Sequence, residues 1–84
     1  MITQIMAVRD SIMEAYNAPF ATATVGAAIR SFTDAVNDTG KGDIAKHAKD
    51  FDLFHLGTYD DNSGKITTFD NPKHIINGEG AKNV

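Results

Sequence analysis

Three histidines, His47, His55 and His74, and a scatter of carboxylates are the side chains best suited to moving protons or holding a metal ion. No two of the histidines stand three or four residues apart, the spacing that would put both on one helix face. Asp60 and Asp61 adjoin each other in "YDDNSGK", a turn-forming stretch where water keeps both ionised, so neither suits a general acid. The chain has no cysteine, which excludes a thiolate nucleophile, a disulfide framework and any Cys-ligated zinc or iron–sulfur centre. The expectation is a protein that is not an enzyme and carries no metal or cofactor.

Two loop motifs come close to ligand sites and miss. With Gly64 at the turn glycine of a calcium loop, "DDNSGKIT" places Asp61 and Ser63 at ligand positions. Tyr59 then falls at the first ligand and Asp70, not Glu, at the last. "SGKIT" echoes a phosphate-binding loop, but Tyr59 stands where a glycine is required and Ile66 where a Ser or Thr is required. Both stretches read as one β-turn.

Eight Lys and Arg face eleven Asp and Glu, a net charge of -3, and this balance opposes strong electrostatic binding to nucleic acid. A local surface is conceivable in "GKGDIAKHAKD", where Lys41, Lys46 and Lys49 are interleaved with Asp43 and Asp50. Together with Arg30, and with Phe51 and Tyr59 as stacking platforms, these lysines form the candidate surface for single-stranded DNA.

The elements that must position these residues come from one domain of 84 residues. Val25, Ala28, Ile29, Phe32, Ala35 and Val36 recur at steps of three, four and seven, which predicts an amphipathic helix capped by Thr24 and ending near Asn37 or Asp38. The charges of "RSFTDAVND" are then the wet side of that helix, with Arg30 and Asp34 at ion-pair spacing but in the less favourable order. "TQIMAVRD" reads as a strand, and a second short strand is expected around Phe20 to Ala23. A helix from Ile5 to Tyr16 is the rival reading. "DIAKHAKDF" has room for one or two helical turns. Leu53 to Tyr59 and Ile66 to Phe69, joined by Asp60 to Gly64, predict a hairpin. Pro72 reads as a stop, with a further short strand or turn at His74 to Ile76.

The fold class that follows is α+β: a small antiparallel sheet of about four strands in the order strand-strand-helix-strand-strand, with one amphipathic helix packed on one face. Residues 1–76 form the domain and 77–84 a flexible tail. Alternation puts Leu53, His55 and Tyr59 on the face opposite Phe54 and Leu56, with Phe54 directed to the core. One helix covers one face only, so Leu53, His55 and Tyr59 become the candidate interface of a homodimer or of docking to a larger protein. The N-terminal stretch lacks a basic leader and no 18 apolar residues run together, so neither secretion nor membrane insertion is expected.

Three blocks, "AIRSFTDAVND", "KHAKDFDLFHLGTYDDNSGKI" and "NPKHI", resemble the small non-structural protein of gokushoviruses, single-stranded DNA bacteriophages of the Microviridae. Pro19 and Phe20 match a "PF" near the helix start. Ala48 stands where the family commonly has a proline after the Lys-His pair. The resemblance implies a protein of the host bacterial cytoplasm, absent from the virion. It further implies action in the shift from double-stranded replicative DNA to single-stranded genome synthesis, by analogy with a small control protein of related coliphages. It carries over no catalytic residues. Two mechanisms fit: an adaptor docking on a phage or host replication protein, and a single-stranded DNA binder.

Overall fold

The computed structural model describes residues 1–38 and 42–82 as an α+β fold. Strand β1 (Ile2–Asp10) is followed by two short strands, β2 (Ala15–Tyr16) and β3 (Phe20–Thr22), then helix α1 (Val25–Asn37). A helical turn α2 (Asp43–Lys46) and a 3-10 turn (Ala48–Asp50) lead into β4 (Phe51–Asp60), β5 (Lys65–Asn77) and a last turn of helix α3 (Gly78–Ala81). The sheet is antiparallel throughout, ordered β2-β1-β4-β5, with β3 pairing β1 beside β2. The strand reading of the N-terminal segment holds against the helical one.

Helix α1 forms where its stripe predicts. Thr24 caps it, its Oγ1 accepting from the Ala27 N–H at 3.1 Å, and Ala28, Phe32 and Val36 are buried. They meet a row that crosses three strands, since Val8 pairs with Leu53 and Leu53 with Ile76. Leu53 and Met6 are fully buried at the centre. Burial of this kind stabilises by about 1.5–3 kcal/mol per large side chain. On the wet side Arg30 and Asp34 do not pair, in line with their unfavourable order.

Three features depart from the sequence reading. Pro72 does not stop the chain: β5 runs from Lys65 to Asn77 as one edge strand. The register jumps from Gly57↔Thr68 to His55↔Lys73, so Pro72 lies in the bulged segment between, where its missing N–H removes no ladder bond. The expected flexible tail is also corrected over residues 78–81. Asn77 caps α3 by accepting from the Glu79 N–H at 2.8 Å, Ala81 is fully buried in the core, and the Ala81 carbonyl accepts from Asn37 Nδ2 at 3.0 Å. Gly78 lets this turn approach the Ala48 carbonyl so closely that a Cβ would collide with it.

The third departure concerns faces. Pairing partners stand on the same side of a sheet, so the row Met6–His55 belongs with α1, while Ala7–Phe54 lies on the opposite side. Between Met6↔His55 and Ile5↔Gly57 the strand β4 bulges at Leu56, which inverts the alternation beyond it. Tyr59, opposite Thr3, therefore shares the face of Phe54 and not that of His55. Gly57 sits where a Cβ would run into the Thr67 carbonyl oxygen.

At the far end of the sheet the hairpin turn is tied by Gly64 N–H to the Asp60 carbonyl at 2.8 Å, and the Met1 ammonium donates to Asp61 Oδ1 at 2.6 Å. That hydrogen bond raises the ammonium pKa above its ordinary value.

Candidate functional site

The face of the sheet away from α1 carries side chains that the fold itself does not cover. Four cross-strand rows build it: Tyr16, Arg9, Asp52 and Asn77; then Ala7, Phe54 and His74; then Ala21, Ile5 and Gly57; and at the far end Thr3, Tyr59 and Ile66. The first two rows lock together. Tyr16 meets Phe54 edge to face at 5.4 Å between ring centroids, Phe54 meets His74 the same way at 5.3 Å, and the Arg9 guanidinium lies 5.9 Å from the Tyr16 centroid. His74 Nε2 is 2.8 Å from Asp52 Oδ1, which also accepts from Asn77 Nδ2 at 3.0 Å. Edge-to-face contacts of this type add about 0.5–1.5 kcal/mol beyond burial and hold each ring in one orientation.

The result is a broad surface, part aromatic and part aliphatic, whose single Arg and Asp face each other. Tyr16 is 42% exposed and Ile66 61%, and Ile5, Phe54 and Tyr59 are half-buried. Among the described residues no group of His, Asp and Glu is arranged to hold a metal ion, and no helix is long and apolar enough to cross a membrane.

The candidate interface of Leu53, His55 and Tyr59 is not one surface. Leu53 is fully buried under α1, His55 stands on the helix side with Nε2 at 2.9 Å from Gln4 Oε1, and only Tyr59 belongs to the open face. Alternation set Phe54 correctly against Leu53 and His55, but the helix covers the Leu53 side and not the Phe54 side, and the bulge at Leu56 then moves Tyr59 onto the Phe54 side. Phe54, expected in the core, is on the open side.

The candidate nucleic-acid residues are dispersed as well. Arg30 is exposed on α1, Lys46 and Lys49 are exposed on the short helical turns, and Tyr59 lies on the sheet face. Phe51 is a core residue at 7% exposure, with no ring face free for a base. Lys41 lies outside the described residues. His55 has an aromatic neighbour of its own, Phe69 at 4.7 Å, over which Lys73 Nζ sits at 4.2 Å.

No curated protein and no solved structure matches this chain. The family model described as phage ORF5 protein matches residues 3–81, which takes in every strand and helix set out above apart from the first residue of β1. The chain is therefore a bacteriophage protein and belongs to the phage ORF5 protein family.

Proposed function

We propose that this phage protein acts in viral DNA replication, in the switch from double-stranded replicative DNA to single-stranded genome synthesis. It works there as a non-enzymatic adaptor that docks on a phage or host replication protein through the open face of its sheet, in the host cytoplasm and outside the virion. The observation that carries the docking mode is that face: Tyr16, Phe54, Tyr59 and Ile66 lie on one side of a sheet whose other side carries α1 over the Met6, Leu53 and Ile76 end. Aromatic anchors held in fixed orientation beside a balanced Arg9 and Asp52 suit a protein surface better than a polyanion. The role in replication is supported by the resemblance to the gokushovirus protein and by membership of a phage family.

The test is to place Tyr16→Glu with Ile66→Glu in the phage and follow both DNA forms during infection. Both side chains are exposed, so the fold should persist. Duplex replicative DNA should accumulate while single-stranded genomes fall at least about tenfold, the loss of one well-packed anchor. Co-purification with the phage replication initiator should disappear in parallel. Unchanged amounts of single-stranded genomes would sink the reading.

Direct binding of single-stranded DNA is a second reading, favoured by one feature of the same face: Arg9 and His74 flank the rings of Tyr16 and Phe54, a cation-and-aromatic arrangement that can stack bases. Titration with a labelled oligothymidine across a salt series separates the two. Affinity that falls steeply with salt and is lost in Tyr16→Glu selects the DNA reading.

A further inference from the structure

Two oppositely charged concavities lie side by side along the short helical turns, one against the β1–β2 turn and the other against α3. Asp10, Asp43 and Asp50 line the first, with Ile12 and Met13 at its mouth. Lys46, Lys49 and Lys82 line the second, over a floor of Ala45 and Ala48, with Glu79 as its one acid. His47 belongs to both and marks the boundary.

The turn beside the acidic concavity is built with care. Asp10 Oδ1 accepts from the N–H groups of Ile12 at 3.0 Å and Met13 at 3.3 Å. Ser11 donates from both its N–H and its hydroxyl to the Asp50 carbonyl, at 2.9 and 3.0 Å. Glu14 takes φ 54, a left-handed conformation uncommon outside glycine. This fixed turn holds Ile12 and Met13 out in water, 71% and 72% exposed. Nothing in the packing of the domain calls for two large apolar side chains there.

We propose that the two concavities are the halves of one isologous contact with a second copy of this chain. A two-fold axis near His47 brings the acidic concavity of one protomer onto the basic concavity of its partner, and the reverse contact follows by symmetry. Ile12 and Met13 then enter over the small side chains of Ala45 and Ala48, and the charges fix the register. Lys82 Nζ is already committed to the carbonyls of Val36 at 3.1 Å and Ala45 at 2.6 Å, so Lys46 and Lys49 are the cations free to reach across. The open sheet face stays outside this contact, and the inference does not rest on the adaptor reading.

The purified full chain tests this in sedimentation equilibrium at low and high salt. A dimer is expected at low salt, with its dissociation constant rising at least about tenfold at high salt. The double variants Lys46→Glu with Lys49→Glu, and Asp43→Lys with Asp50→Lys, should each be monomeric with unchanged far-ultraviolet circular dichroism. Mixed in equal amounts they should form a heterodimer, because one contact then pairs the native Asp and Lys concavities and the other pairs the two reversed ones, which are complementary again. Ile12→Asp, at an exposed position, should keep the fold and lose the dimer. A wild-type chain that stays monomeric, a dimer indifferent to the charge reversals, or variants that do not recombine would each overturn the proposal. So would loss of oligothymidine binding, with no change in mass, in the lysine variant, which would make the basic concavity a nucleic-acid surface.

Discussion

The two faces of the sheet are built from similar residues and put to different ends. On the covered face, the row Val8–Leu53–Ile76 is closed over by Phe32 and Val36 of α1. On the other, the row Ala7–Phe54–His74 is shielded only by its own neighbours, Phe54 lying edge to face between Tyr16 and His74. The first arrangement stabilises the domain. The second leaves apolar surface in water that no element of the domain removes, which is the surface the proposed docking would cover.

Adjacent residues on β4 give the largest and clearest difference. Leu53→Ala should destabilise by about 2–5 kcal/mol, as buried leucines do when the surroundings cannot collapse onto the cavity. Phe54→Ala removes more atoms but from a half-buried site, so it should cost less, about 1–2 kcal/mol, chiefly through its ring contacts with Tyr16 and His74. Urea denaturation of both variants decides the matter. A Phe54→Ala loss equal to that of Leu53→Ala would mean the second face is also a core.

Next in size is the closure of the covered face at its end. Gly78→Ala forces a Cβ against the Ala48 carbonyl and should cost about 1–3 kcal/mol, the range for overpacking. Thr24→Ala, which removes the oxygen that accepts from Ala27, should cost about 1 kcal/mol. Both act on the helical layer alone. Each should lower the denaturation midpoint and leave the open face of the folded protein unchanged.

The two faces were unequally legible in the sequence. Helix α1 was readable because a 3.6-residue stripe with a threonine cap has one physical meaning, and the hairpin because Asp60 to Gly64 are turn formers between β-prone runs. Which face the β4 residues beyond His55 take, Tyr59 above all, was not readable. That depends on the bulge at Leu56, and a bulge is a matter of register between strands, settled by contacts far apart in the chain. The one local hint is Gly57, a glycine inside a strand, whose place against Thr67 shows why no side chain fits. The tail was misread for a related reason. "NGEG" has the composition of a fraying end, yet Asn77 supplies the cap, and Gly78 supplies the room for α3 to dock.

The smallest effect expected on stability tests the comparison most sharply. Tyr16→Glu and Ile66→Glu each replace an exposed apolar side chain on the open face, and surface changes of this kind usually stay within about 0.5 kcal/mol. Tyr16 also gives up its ring contact with Phe54, so its loss should exceed that limit and reach about 1 kcal/mol. If both variants unfold at nearly the wild-type urea concentration while single-stranded genome synthesis fails, stability and function reside on opposite faces of one sheet. If the variants are instead markedly unstable, the open face contributes to the core after all, and its apolar residues need no partner to explain them.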